Sequence, residues 1–170
     1  MASGEADNAP KVRVVLQQCL GARLQTQPAT DDTPSEFVQI SRGLVVYICF
    51  LKAASSDMVE KIVKTVLTVR LSETDGGKLV SILDLPGDLL IVPQATLGGR
   101  LKGRAMQYHN IIDKSAGFRL YGEFTELCKS TVNSNSISQE KNCVVQCGTY
   151  GNRQVLEIDT NGPYTHILEF

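Results

Sequence analysis

Apolar residues recur along the chain with two periods, one typical of strands and one of helices. Apolar runs at residues 12–19, 37–40 and 44–51 predict strands, and the third run, rich in Val, Tyr, Ile and Phe, predicts a central one. Further strands are predicted at residues 22–26, 79–83, 89–92, 143–147, 153–159 and 165–170. Turn residues at 75–77 and 86–88 separate some of these runs.

Two segments follow helical periodicity instead. Apolar stripes predict one helix that begins after Asp57, and a second that begins near Ser115. Asp57 and Glu60 resemble a capping box at the first helix. Residues 129–142, rich in Ser and Asn, predict a surface loop or a disordered segment. The two stripes comprise Val59, Ile62, Val63, Val66 and Leu67, and Leu120, Tyr121, Phe124, Leu127 and Cys128.

These elements indicate an α+β fold. Roughly seven to nine strands with two main helices favour a curved mixed β-sheet or open barrel covered by helices. The 170 residues suggest a single domain at residues 11–170, and we expect the small, polar residues 1–10 to form a disordered tail.

Composition and charge argue against several classes of protein. A hydrophobic content of 42% and a mean hydropathy of -0.05 are typical of soluble globular proteins. The longest apolar run, residues 44–51, is too short to span a bilayer, and no charged-then-apolar leader opens the chain. We therefore expect a cytoplasmic protein with no membrane contact. The net charge of -1 gives no overall signature of a nucleic-acid binder.

The cysteines indicate no disulfide framework and no metal site. An odd count of 5 without paired spacing is typical of reduced, mostly buried thiols. No zinc-binding spacing and no histidine cluster is present, so we expect no metal and no cofactor. The five are Cys19, Cys49, Cys128, Cys143 and Cys147.

Side-chain catalysis is poorly supplied. A Ser-His-Asp or Cys-His site needs a histidine near the nucleophile, and His109 and His166 have no such motif around them. Two backbone-rich segments stand out instead, residues 93–97 (PQATL) and 161–165 (NGPYT). Gly162 allows close approach of a ligand, and Pro163 fixes φ, which together make a rigid backbone probe. The alternative is a tight turn that holds two strands in register.

Local positive charge follows the first segment. Arg100, Lys102 and Arg104 alternate within five residues, and Lys114 and Arg119 come next. This run is either a solvated loop or a patch that holds phosphates.

The two segments, in this order, resemble the paired signatures of the D-aminoacyl-tRNA deacylases, which are SQFTL after a strand and N-x-GPVT near the carboxyl end. The resemblance covers nearly the whole chain beyond the first ten residues. Pro93 replaces the serine, Ala95 replaces the phenylalanine, Asn161 directly precedes Gly162, and Gln18 stands where the standard family has an arginine. These departures are similar to the animal-type branch of the family, in which the Gly-Pro bond is trans and the pocket is roomier.

The resemblance implies a DTD-like fold and a homodimer in which the Gly-Pro loop of one subunit enters the pocket of the other. It implies an editing hydrolase that cleaves mischarged aminoacyl-tRNA, notably L-alanine on threonine tRNA, with D-aminoacyl and glycyl esters as further substrates. Backbone N–H groups along residues 95–97 would bind the oxyanion, and water assisted by the tRNA 2′-hydroxyl is favoured over Thr96 as nucleophile. The rival hypotheses are a non-catalytic tRNA-binding module and a plain dimeric scaffold. The implied residues are Gln94, Ala95 and Thr96 for catalysis, Gly162, Pro163, Gln18, Pro93 and Leu97 for substrate binding, and Arg100, Lys102 and Arg104 for tRNA phosphates.

Overall fold

The computed structural model describes residues 8–170, so residues 1–7 of the predicted tail lie outside the described residues. The helices are α1 (Val59–Thr68), α2 (Lys114–Ser134) and α3 (Ser136–Glu140). The strands are β1 (Val12–Cys19), β2 (Gly21–Gln27), β3 (Glu36–Ile40), β4 (Gly43–Phe50), β5 (Ser72–Glu73), β6 (Leu79–Val80), β7 (Asp88–Pro93), β8 (Arg100–Lys102), β9 (Ala105–Gln107), β10 (Val145–Cys147), β11 (Val155–Asp159) and β12 (His166–Glu169).

A mixed five-stranded sheet forms the centre of the fold. Its strand order is β10-β7-β4-β1-β12, with β10, β7 and β4 parallel and the pairs β4–β1 and β1–β12 antiparallel. A second, antiparallel sheet has the order β11-β2-β3. The described strands form separate sheets and no closed barrel, and the predicted α+β class with a mixed sheet is confirmed.

The apolar run of β4 is continuous because both faces of the central sheet are covered. Alternate residues of β4 and β7, such as Val46 and Ile91, pack with the helices in the larger core. The intervening residues, such as Val45 and Leu90, pack against the second sheet in a smaller core. The molecule therefore has three layers: helices, a five-stranded sheet and a three-stranded sheet. The predicted stripe of α1 is buried in full, and Leu120, Tyr121, Phe124 and Cys128 of α2 are buried too.

The loop predicted at residues 129–142 is wrong. Helix α2 continues to Ser134, and α3 follows at once, because Val132 extends the buried stripe of α2. Asn135 caps α3 by accepting a hydrogen bond from the Ser138 N–H at 2.9 Å. The hydroxyl of Ser134 donates to the Ser130 carbonyl at 2.7 Å, so these polar residues bond within the helix.

The capping box predicted at α1 is also wrong. A short 3₁₀ turn at Ser56–Met58 precedes the helix, and the N-cap is Met58 without a side-chain bond. Asp57 accepts a hydrogen bond from Ser55 instead, and this bond lowers the pKa of the carboxyl group. The predicted strand at residues 79–83 is reduced to the two residues of β6.

The five cysteines are free, and Cys19, Cys49 and Cys128 are buried, as predicted. Burial raises the pKa of each of these three thiols, which keeps them protonated. Within residues 8–170, no helix combines the length and apolarity needed to cross a bilayer.

Candidate functional site

The parallel strands β7 and β10 end at the same edge of the central sheet, and the loops that leave them enclose a cavity of about 680 Å³. Ligands commonly bind beyond the carboxyl ends of parallel strands, where consecutive loops diverge. The lining residues are Val92, Pro93, Gln94, Ala95, Thr96, Ile111, Ile112, Lys114, Tyr150, Gly151, Asn152, Arg153 and Gln154.

The first wall is the segment predicted as catalytic, and its backbone is firmly held. The Gln94 N–H donates to the Ile48 carbonyl of β4 at 2.9 Å, which ties the end of β7 to the sheet. The buried thiol of Cys49 lies 3.4 Å from the Ala95 carbonyl. A 3₁₀ turn at Ala95–Gly98 follows, in which the Leu97 N–H donates back to Gln94 at 3.2 Å. The wall is therefore a fixed surface of main-chain groups.

Two N–H groups in this wall have no acceptor within residues 8–170. They belong to Ala95 and Thr96, two exposed residues that line the cavity. The first N–H groups of a helical turn have no partner within the turn. The sequence hypothesis placed oxyanion donors along residues 95–97, and the bond from Leu97 narrows these donors to Ala95 and Thr96. The Thr96 hydroxyl likewise makes no hydrogen bond within the described chain.

The second wall, residues 150–154, was missed by the sequence reasoning because no motif marks it. Buried Tyr121 of α2 holds its base: the phenol oxygen lies 2.7 Å from the Gly148 carbonyl and 3.2 Å from the Ile91 carbonyl. Burial raises the pKa of Tyr121, so the phenol remains a neutral donor. Gln154 closes the loop by donating to the Thr26 carbonyl at 2.9 Å.

Tyr150 forms the rim of this wall by packing against α2. Its ring centroid lies 5.5 Å from that of Tyr121 and 6.3 Å from that of Phe118. Gly117 makes this possible, because a Cβ at that position would lie 2.0 Å from the Tyr150 oxygen. A helix glycine thus sets the position of a cavity residue 33 positions further along the chain.

The Gly-Pro segment lines a different cavity of about 520 Å³, with Gln18, in the same chain. Gly162 has φ +110, and its bond to Pro163 is trans. The Pro163 carbonyl accepts a hydrogen bond from the Gln18 N–H at 2.9 Å, and the Gln18 side chain donates to the Leu71 carbonyl. The structure therefore brings Gln18, Gly162 and Pro163 together, but not with residues 93–97. Leu97 does not line the 680 Å³ cavity either; its carbonyl accepts a hydrogen bond from Arg13 at 2.9 Å.

The predicted phosphate-binding cations lie on one exposed hairpin, β8–β9, that begins directly after the first wall. Gly103, with φ +63, lies in its tight turn. Arg100, Lys102 and Arg104 are all exposed, and none forms an ion pair with another described residue. The structure thus gathers these three residues as a cationic projection beside the cavity.

Histidines and acidic groups do not contribute to the cavity lining. His166 bonds to the Tyr164 carbonyl at 2.9 Å, and His109 lies in a separate depression with Arg100. Within residues 8–170, no group of three or more His, Cys, Asp and Glu residues is placed to hold a metal ion. The cavity lining offers two N–H groups, the hydroxyls of Thr96 and Tyr150, side-chain amides and two cations.

The fold is α+β in three layers, and the two segments that resemble the deacylase signatures lie in the wall of its 680 Å³ cavity and in a separate loop near the carboxyl end. The model of the D-Tyr-tRNA(Tyr) deacylase family matches residues 15–169. The chain belongs to this family. That membership confirms the resemblance found in the sequence and the assignment of the chain to a family of hydrolases.

Individual relatives support the same family assignment. D-aminoacyl-tRNA deacylase 2 of Homo sapiens is 57% identical over 166 residues, which cover 98% of this chain and 99% of the relative. D-aminoacyl-tRNA deacylase 2 of Gallus gallus is 56% identical, covering 93% and 95%. A solved structure described as a probable eukaryotic D-amino acid tRNA deacylase superposes with a TM-score of 0.78 at 26% identity, covering 94% of this chain and 99% of that one.

Proposed function

We propose that this protein is an aminoacyl-tRNA editing hydrolase that cleaves the ester bond of mischarged tRNA in the cytoplasm. Family membership supports the class of substrate, since the relatives carry deacylase names. The observation that carries the proposal is the pair of N–H groups of Ala95 and Thr96, held rigidly in a cavity large enough for a small ligand. Fixed donors of this kind stabilise the oxyanion that forms when an ester is attacked.

The attacking group in this proposal is water, assisted by the 2′-hydroxyl of the substrate. Aminoacyl esters are intrinsically labile, so orientation and oxyanion binding suffice to accelerate their hydrolysis. A Thr96 nucleophile would need a base, and no described residue bonds to its hydroxyl. Thr96 therefore positions the substrate, and Gln94 and Pro93 line the wall beside it.

The substrates we propose are L-alanyl-tRNA for threonine, and D-aminoacyl and glycyl esters. Small Ala95 leaves room in the wall where the standard family has a phenylalanine. The trans Gly162–Pro163 bond is the isomer expected for the roomier, animal-type pocket.

Access of the Gly-Pro loop to the cavity requires a second copy of the chain, so the proposal includes a homodimer. Within one chain the loop lies in its own cavity with Gln18, away from residues 93–97. Strand β12 is an edge of the central sheet, and Ile167 on it is 69% exposed. An apolar edge strand beside the loop is a natural surface for a second copy to cover. Arg100, Lys102 and Arg104 then hold tRNA backbone phosphates outside the pocket.

Incubation with L-alanyl-tRNA for threonine tests the activity. We expect ester loss well above the buffer rate, and Thr96→Ala should keep measurable turnover. Absence of hydrolysis by the wild-type protein, with active controls, would reject the proposal; tRNA binding without turnover would favour the non-catalytic module. Complete loss of turnover in Thr96→Ala with tRNA binding intact would instead favour a nucleophile or an essential positioning role.

Mixed dimers test the crossing of the loop. One subunit would carry Gly162→Ala and Pro163→Ala, and the other Ala95→Trp, which fills the cavity. If the loop acts across subunits, each mixed dimer retains one intact site and about half of the wild-type activity. Mixed dimers as inactive as the two parent variants would show that loop and cavity belong to the same subunit.

A further inference from the structure

The cavity lining carries two cations and no carboxylate. Lys114 and Arg153 stand on its rim from different elements, the first residue of α2 and the second wall. Both side chains are exposed, and neither forms an ion pair within residues 8–170. By contrast, Arg119 and Lys129, elsewhere on α2, lie 3.9 and 3.6 Å from a glutamate partner. The cavity therefore presents unneutralised positive charge to whatever it binds.

Helix stability does not account for Lys114. A cation in the first turn opposes the helix dipole, and the acidic group beside it is the N-cap Asp113, whose carboxylate already accepts the Ala116 N–H at 3.1 Å. A residue that breaks a local stability rule is commonly placed for function. The adjacent Gly151, with φ +88, keeps the second wall close to this side chain: a Cβ at Gly151 would lie 3.8 Å from the Lys114 Nζ.

The chemistry of an aminoacyl ester decides which part of it these cations meet. The carboxyl group of the amino acid is consumed in the ester, and its amino group is positively charged near neutral pH, so cations beside the amino acid would repel it. The anions that remain in the substrate are its phosphodiesters. Arginine and lysine are the usual partners of such groups.

We propose that Lys114 and Arg153 bind the phosphodiester next to the terminal nucleotide of the substrate, so that the cavity holds a nucleotide as well as the ester. This inference rests on the proposed function and deepens it. It divides the positive charge of the molecule into two zones: the cavity pair acts on the last nucleotides, and the β8–β9 hairpin acts on the more distant acceptor stem.

A series of three substrates separates the two zones. The substrates are the L-alanyl ester of adenosine, which has no phosphate; the L-alanyl ester of a trinucleotide ending in adenosine; and the full L-alanyl-tRNA. We expect Lys114→Ala and Arg153→Ala each to lower, by about tenfold, the ratio of kcat/KM for the trinucleotide ester to that for the adenosine ester. Lys114→Arg should restore most of this ratio because it keeps the charge.

Two controls accompany the series. Lys129→Ala removes one partly buried, ion-paired lysine from the same helix outside the cavity and should leave all ratios at the wild-type value. Arg100→Ala should lower kcat/KM for the full tRNA relative to the trinucleotide, without changing the ratio of trinucleotide to adenosine ester. Equal losses on all three substrates, or an unchanged ratio in both cavity variants, would overturn the inference.

Binding of the unacylated trinucleotide, followed by fluorescence anisotropy, gives a readout that does not depend on hydrolysis. Each cavity variant should reduce the slope of log affinity against log salt by roughly 0.7, the value for one phosphate contact with a single strand. Wild-type binding with this dependence but no hydrolysis of any ester would reject the proposed activity and support the inference. Salt slopes unchanged in both variants would overturn it even if the esters are hydrolysed.

Discussion

Replacement of Gly117 by alanine tests whether the packing of Tyr150 on α2 shapes the cavity. The new Cβ would lie 2.0 Å from the Tyr150 oxygen and 2.8 Å from Cζ of the ring, so the side chain has to move. Because Tyr150 lines the cavity, this movement would reach the substrate that the proposed function places there. Displacement of a site wall by about 1 Å can cost on the order of a hundredfold in rate, and we expect kcat/KM for L-alanyl-tRNA to fall by about ten- to a hundredfold.

The free energy of unfolding of the same variant should fall by no more than about 2 kcal/mol. Alanine in place of a helix glycine stabilises by about 1 kcal/mol. The displaced ring loses its contacts with Tyr121 and Phe118, worth about 0.5–1.5 kcal/mol each. The net free energy of unfolding should therefore lie between about the wild-type value and about 2 kcal/mol below it. Denaturant unfolding measures this quantity beside the hydrolysis assay.

Gly122→Ala is the matched control, because no described atom lies within 4 Å of a Cβ at Gly122 in the same helix. It should be slightly more stable than wild type and fully active. Adding Tyr150→Phe to Gly117→Ala removes the nearest atom but leaves Cζ at 2.8 Å, so activity should recover in part. If Gly117→Ala behaves like Gly122→Ala in both assays, the argument that α2 positions the rim is refuted.

Three further changes test the fold and the loop. Gln18→Arg removes the side-chain bond to Leu71 beside the Gly-Pro loop and should change the ratio of L-alanyl- to D-alanyl-tRNA hydrolysis; an unchanged ratio removes Gln18 from the specificity residues. Gly43→Ala places a Cβ 1.8 Å from the Asp88 carbonyl oxygen and should cost about 3 kcal/mol in denaturant unfolding, whereas wild-type stability would contradict the close strand contact. Burial raises the pKa of Cys128 from 9.0 to about 12, so the free energy of unfolding should decrease as pH rises from about 9 to 12. The plot of this free energy against pH should be flatter in Cys128→Ser, and parallel plots would contradict the effect of Cys128.

The layers of the fold could be predicted from the sequence because buried faces leave periodic patterns of apolar residues. The stripe of α1 and the continuous apolar run of β4 are direct consequences of burial on one and on two sides. Residues 129–142 gave the wrong prediction because one buried apolar side chain, Val132, and local hydroxyl bonds hold a Ser- and Asn-rich helix. Val132 continues the stripe of α2 four residues after Cys128, but this single apolar position was outweighed by the polar residues around it.

The candidate site likewise has one wall that the sequence predicted and one that it did not. Its first wall follows a strand end and carries a motif, so Gln94, Ala95 and Thr96 could be selected before the structure was known. The second wall, residues 150–154, depends on contacts made by Tyr121 and Gln154 with residues far away in the chain. A sequence pattern cannot show that a helix glycine admits Tyr150, since the requirement comes from packing in three dimensions.

In the proposed function, the Gly-Pro loop reaches a cavity through the assembly of two copies and not by moving within its own chain. Its Pro163 carbonyl already accepts the Gln18 N–H, and Gln18 is tied in turn to Leu71, so the loop is braced against its own subunit. A braced loop cannot swing across the sheet to a cavity at the ends of β7 and β10 without breaking these bonds. In the proposed homodimer, the Gly162 main chain would instead meet the cavity of the second copy as a fixed probe. A rigid loop gains selectivity because it loses little conformational freedom on contact. The hydrogen bonds that hold the loop away from the cavity of its own subunit therefore suit it to the cavity of a second copy.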